Sequence, residues 1–210
     1  MPSALVDNEL FVDFDEQVSV KDSAGRPLNN AQIAFFNNSK CLSPSGALLV
    51  VYHASNKQFS AFKDEFSGSA GGNIFGKGFY FCDSDMGLDI YGEYINEYYL
   101  NLKNPFRWEP IEEEADALYN MDMFVEVLEI NNFSLSDELR QALEDMALED
   151  CLLDEMIEAT CGQDKIQTFL KNAGYDGIMN LDVGDYVAFD PEQIKLCSNT
   201  KPTSSAELAA

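Results

Sequence analysis

Histidine occurs once in these 210 residues, at His53, and no CxxC pair occurs at all. A His/Cys metal centre is therefore not expected, and no metal is assigned. The five cysteines, at 41, 82, 151, 161 and 197, are odd in number and widely spaced. That argues against a disulfide framework and for free thiols in a reducing compartment. GxxxxGK[ST] and GxGxxG are both missing, which excludes the phosphate cradles those motifs build. No run of 18 apolar residues exists, so no helical membrane span is expected. The first residues, MPSALVDNELFVDFDEQ, lack the basic start of a secretory leader, so a cytoplasmic location is the expectation. Basic residues are scarce as well: 13 Lys and Arg stand against 37 Asp and Glu, a formal net charge of −24. Such a field repels nucleic-acid phosphates at long range and favours basic or neutral partners.

What is present is enough for a folded domain. Hydrophobic residues make up 46% and aromatics 12% of the chain, well above the composition of a disordered tail. The charge is concentrated: residues 109–158 hold 17 acids and one base, Arg140. Within that block DELRQALEDMALEDCLLDEMIEA places Leu139, Leu143, Met146, Leu153 and Ile157 at three- and four-residue steps, with Ser136 as N-cap. A further helix is expected over 164–173, ended by Gly174. Strands are expected over 47–53 (ALLVVYH), 96–103, 175–181, 185–190 and 193–197, and around LFVDFD near the start, with a short helix in AQIAFFNNSK. Strands, then acidic helices, then strands suit an α+β fold better than βαβ units. The tail KPTSSAELAA, residues 201–210, is expected to be disordered.

Three short stretches carry candidate chemistry. His53 ends a strand in VVYHAS, followed by the small residues Ala54 and Ser55, beside which a polar ligand can approach closely. A lone histidine in that position is more commonly a hydrogen-bonded structural residue. In GKGFYF, Gly76 and Gly78 permit tight turns and close approach. Strand alternation turns Tyr80 away from Phe79 and Phe81, towards a cleft. Tyr91 follows eleven residues later, and two tyrosines can sandwich a flat ring, although ordinary aromatic packing is the blander account. Asp185, in GDYVAF, begins a strand at its accessible end, where an acid is usually just solvated.

Together, YHAS, FGKGFYF…Y and GDYVAF, with YLNLKNP, GYDGI and YVAFDPEQIK, resemble the ADP-ribosyltransferases of the diphtheria-toxin and poly(ADP-ribose) polymerase branch, marked by a His–Tyr–Glu trio. The likeness is strongest to the ADP-ribosyltransferase domains of phage and mobile-element polyvalent proteins, and spans roughly residues 33–200. It implies two small, packed, mostly antiparallel sheets with flanking helices, an N-terminal extension over 1–32 and an acidic helical insertion over about 109–160. It implies NAD as substrate and a transferase, possessed also of glycohydrolase activity if water is the acceptor. His53 would bond the adenosine-side ribose, the Ala54 backbone would hold the carboxamide, and Ser55 and Gly78 would line the pocket. Tyr80 and Tyr91 would stack on nicotinamide, and Asp185 would stand where the family has glutamate, one methylene shorter. The implied partners are NAD and an acceptor, a protein sooner than a nucleic acid, for a monomer with no membrane attachment and a toxin or phage-effector role. Two other functions stay open: a catalytically weak NAD- or ADP-ribose-binding module, suggested by the shorter acid, and an acidic interaction protein or DNA mimic built on 109–158.

Overall fold

The computed structural model describes residues 20–68, 74–149 and 152–197. The expected strand at LFVDFD and the tail lie outside them. The remainder is a mixed α+β domain around a seven-stranded sheet. Its strands are β1 (Val51–Ser55), β2 (Phe79–Cys82), β3 (Tyr94–Leu100), β4 (Phe106–Trp108), β5 (Gly177–Asn180), β6 (Asp185–Ala188) and β7 (Ile194–Leu196). Their spatial order is β4-β5-β6-β2-β1-β3-β7, with β4 and β5 parallel and every other neighbour antiparallel.

The sheet has two halves. In one, β2 is registered with β6 over four pairs, and in the other β1 with β3 over five. Between the halves, β1 and β2 share a single registered pair, Tyr52 with Cys82. The halves are thus joined at one point and fork from it, which is how two small sheets and one seven-stranded order coexist.

Pleat alternation assigns the faces. Val51, Phe79, Phe81, Tyr98, Leu100, Met179 and Tyr186 share one buried cluster on the first face. On the second face, Phe106, Trp108, Ile178 and Val187 are covered by α2 (Glu114–Ile130), α3 (Asp137–Leu148), α4 (Leu153–Ala159) and α5 (Gln163–Asn172). These helices bury Phe124, Leu128, Leu143, Leu153, Met156, Ile166 and Leu170 in that same cluster. The acidic segment is therefore amphipathic, its carboxylates outward and its apolar stripe forming half of the main core. Ser136 caps α3 by accepting from the Leu139 N–H at 3.2 Å. The other half of the second face is covered by α1 (Asn30–Phe35) and the adjoining Leu28, Phe36 and Leu48, packed on Val50, Tyr52 and Tyr99. Behind α1, the buried Asp22 carboxylate accepts from the Tyr99 hydroxyl at 2.7 Å and pairs with Arg26 at 2.6 Å. Arg26 also bonds Glu97 of β3, fastening this segment to the sheet.

Candidate active site

The two helical covers leave a seam on the second face, where the sheet halves meet. Tyr52, Cys82 and Asp185 cross it in one row, because Tyr52 is registered with Cys82 and Cys82 with Asp185. All three are half-buried. Tyr80 lies two residues from Cys82 on β2 and points to the same face, as its packing against Phe75 and the second-face cluster requires. The row continues through Asn180, registered with Asp185, to Trp108, registered with Asn180. Asn180 Oδ1 and Trp108 Nε1 are buried and have no hydrogen-bond partner among the described residues.

Asp185 opens β6 immediately after the turn at Gly184. Its Oδ1 accepts from the Cys82 thiol at 3.2 Å. Burial raises its pKa above the ordinary aspartate value, opposed by the Cys82 bond and reinforced by the nearby Asp83. The carboxylate also helps burial push the Cys82 thiol up to about 12, so that sulfur is a donor here and not a thiolate. A raised folded-state pKa means the charged form is disfavoured by folding. The penalty is absent below the unfolded value near 4 and complete once pH has passed the folded one. Asp185→Asn is therefore expected to raise the melting temperature at pH 7, with the gain shrinking towards pH 4. Thermal melts across that range read the effect, and an equal or lower melting temperature at pH 7 would contradict it.

Tyr80 is held by its hydroxyl, which donates to the Gly76 carbonyl at 2.5 Å and accepts from the Phe75 N–H at 3.2 Å. One ring face stacks on Phe75, with the planes 12° apart. Gly76 makes this possible with φ +80° and by lying where a Cβ would be 2.5 Å from the Gln163 carbonyl oxygen. Gly78 is packed against Val187 of β6, not against open space.

His53 takes a different position. The register that pairs Tyr52 with Cys82 sets His53 beside Phe81, on the first face. Its ring lies among Phe62, Phe81, Phe59 and Tyr98, with centroids 5.0, 5.4, 5.9 and 6.3 Å away. It is tied to the fork by Nδ1, which donates to the Tyr80 carbonyl at 2.8 Å. A carbonyl only accepts, so this bond fixes the neutral tautomer and leaves Nε2 as an acceptor. Burial lowers the imidazole pKa, against the raising effect of the Tyr80 bond. The imidazole and the Asp185 carboxylate thus project to opposite faces, and the Tyr80 backbone connects them.

Ala54 and Ser55 complete β1 beyond the fork, both half-buried. Tyr91 follows a single 3₁₀ turn at Leu88–Ile90 and is 56% exposed. The next residue, Gly92, is pressed against the β1 terminus: a Cβ there would sit 2.2 Å from the Ser55 carbonyl carbon. That contact seats the Tyr91 loop over the end of β1.

The family model for the ADP-ribosyltransferase in polyvalent proteins matches residues 44–204. The chain belongs to this family. The family supports ADP-ribosyl transfer as the general activity, which needs NAD as the donor in such enzymes. No curated protein matches the sequence. A crystal structure of an anti-CRISPR protein is similar over 70% of this chain and 94% of its own, at 13% identity and TM-score 0.37, a likeness too low to carry an argument. In this member of the family the seam adds Cys82 and Asn180 to the residues expected from sequence. Cys82 was open to discovery, since it stands two residues from Tyr80 on the same strand and so shares its face. Asn180 was not, because its place beside Asp185 follows from strand register alone.

Proposed function

We propose that this ADP-ribosyltransferase cleaves the nicotinamide–ribose bond of NAD at the seam and passes ADP-ribose to a protein acceptor. The observation that carries the reading is the fork itself: His53 of β1 bonded to the Tyr80 carbonyl of β2, with Asp185 on the strand next to β2. In this reading His53 Nε2 accepts a hydroxyl of the adenosine-side ribose. The Ala54 backbone takes the carboxamide, with Ser55 alongside. The Tyr80 face turned away from Phe75 and the exposed Tyr91 ring hold the nicotinamide, whose positive charge suits aromatic faces. Gly78 acts through packing, drawing β2 tightly onto β6.

Bond breaking gives the ribose oxocarbenium character, as in other glycosyl transfers. In this reading Asp185 accepts from the 2′-hydroxyl of that ribose and stabilises charge that appears only in the transition state. The electron pair of the broken bond leaves with nicotinamide, neutralising its ring, and the acceptor's nucleophile or water takes the ribose carbon. A second reading, an NAD- or ADP-ribose-binding module without turnover, is favoured by the aspartate's shorter reach and its existing bond to Cys82.

Tyr80→Ala is expected to weaken NAD binding by about 1–3 kcal/mol, roughly 5- to 150-fold, the range for loss of one stacked face. Calorimetry measures it, and unchanged affinity would remove Tyr80 from the nicotinamide site. Gly92→Ala forces a Cβ against main chain at Ser55, which cannot give as a side-chain tip can. It is expected to weaken NAD binding through displacement of Tyr91, matching Tyr91→Ala in affinity. Wild-type affinity in Gly92→Ala would uncouple that loop from the site. Incubation with labelled NAD and a bacterial lysate distinguishes the acceptors, with label expected on protein.

A further inference from the structure

Two buried polar atoms of the seam have no part in the steps above. Asn180 is 3% exposed and Trp108 1%, and Asn180 Oδ1 and Trp108 Nε1 have no hydrogen-bond partner among the described residues. Buried polar atoms are nearly always paired, so two orphans side by side call for an account. They are side by side because Trp108 of β4 is registered with Asn180 of β5. They are also complementary, since an indole N–H only donates and an amide oxygen only accepts. On its other side Asn180 is registered with Asp185 of β6. The amide thus stands between an obligate donor and a carboxyl group, all three on the second face.

Asp185 is already held from one side. Its Oδ1 accepts from the thiol of Cys82, its registered neighbour on β2, at 3.2 Å. Asn180 is the corresponding neighbour on β5, within the reach of paired side chains across a sheet. Which end of an amide faces which neighbour is decided by the chemistry of the neighbours. The Trp108 N–H calls for the oxygen end, which leaves the Nδ2 protons for Asp185. A turn about the terminal torsion of Asn180, a broad one, brings both ends into place. A carboxylate offers about four lone-pair positions, so donors to both oxygens still leave room for a ribose hydroxyl. The titratable groups around Asp185 are Cys82 and Tyr80 of β2, Asp83 beyond it and Tyr186 of β6. Burial raises the thiol and both phenols, which are neutral at pH 7, so Asp83 is the one other acid among them.

We propose that Asn180 is a positioning residue for Asp185. Its Nδ2 donates to the carboxylate oxygen that Cys82 does not hold, and the Trp108 indole N–H, donating to Oδ1, fixes the direction of the amide. A side chain one methylene shorter than glutamate is thereby held from both sides and presents one fixed direction to the ribose. Donation to the ionised carboxylate also opposes the burial that disfavours it. The catalytic use of this arrangement rests on the transfer reading above; the hydrogen bonds themselves do not.

Magnetic resonance of the isotopically labelled full chain, titrated with pH, tests the bonds without NAD. Trp108 is the one tryptophan of the chain, so its indole N–H gives a single signal. That signal and the Asn180 side-chain amide are expected to titrate together with the Asp185 carboxyl carbon, and to stop titrating in Asp185→Asn. Asn180→Leu is expected to raise the Asp185 pKa by about one unit or more, the effect of losing one hydrogen bond to a charged group. Trp108→Phe is expected to raise it by less, since Nδ2 remains but is no longer aimed; this variant decides the matter if Asn180→Leu fails to fold by circular dichroism. Nicotinamide release adds the functional readout. In Asn180→Leu kcat at pH 7 is expected to fall about tenfold with KM for NAD little changed, and the acidic limb to move up with the Asp185 pKa. An amide or indole signal indifferent to the Asp185 titration would overturn the proposal, as would an Asp185 pKa unchanged or lowered in the variants. No nicotinamide release from the wild type, with both signals titrating as expected, would leave Asn180 holding Asp185 and overturn the transfer reading alone.

Discussion

Asp185→Ala is expected to lower the rate of nicotinamide release from NAD by roughly 10²–10³, the usual consequence of deleting a group that stabilises transition-state charge. NAD affinity should change much less, since the carboxylate acts on charge that the ground state lacks. Asp185→Glu restores the longer side chain of the resembled trio and is expected to keep or raise the rate. The Cys82 thiol bond and the Asp83 carboxylate both act on Asp185 at its present length. The burial that raises its pKa places the acidic limb of the rate profile above the ordinary aspartate value near 4, with activity rising as pH passes through it. Nicotinamide release, followed by chromatography across pH for the three proteins, measures all of this. Undiminished turnover in Asp185→Ala would remove the residue from the mechanism.

Phe124→Ala is the second large effect. Phe124 is fully buried at the centre of α2, in the cluster that also contains Trp108, Ile178 and Val187 of the sheet. Loss of so large a side chain from a packed core costs about 3–5 kcal/mol. That is much of the stability of an ordinary domain. Denaturant unfolding is expected to show the loss, and a change under 1 kcal/mol would mean that the acidic helices are dispensable to the core. The expectation bears on function as well. Removing residues 109–158 exposes the second face of the sheet next to Asp185, so a deletion cannot separate an acidic docking role from folding. Charge-neutralising substitutions on the outward faces of α2 and α3 are the cleaner probe of an interaction surface.

Local features of the fold were legible in the sequence. Ser136 as a cap, Gly174 as a stop and the alternation in FYFC all rest on one to four neighbouring residues, and each appears in the structure. The expected helix beyond Ser136 is two helices, α3 ending at Leu148 and α4 beginning at Leu153, with the apolar spacing of the sequence continuing from one to the other. Strand β4 has only three residues, too few for a periodic signal. The site was legible in its parts and not in its assembly. Tyr80 and Asp185 share a face because β2 is registered with β6 so that Cys82 opposes Asp185. His53 is on the other face because Tyr52, not His53, opposes Cys82. A shift of one residue would reverse that placement, and nothing in VVYHAS or GFYFC encodes the register. Nor does either stretch encode the fork, which arises where pairing between the sheet halves stops.

The central claim is that NAD occupies the fork between β1 and β2. Backbone amide shifts of the isotopically labelled protein, recorded as NAD is added, test it most directly. Saturable shifts are expected at Ala54, Ser55, Tyr80, Gly92 and Asp185, with β7 unaffected. Shifts confined to other regions, or none at saturating NAD, would contradict it.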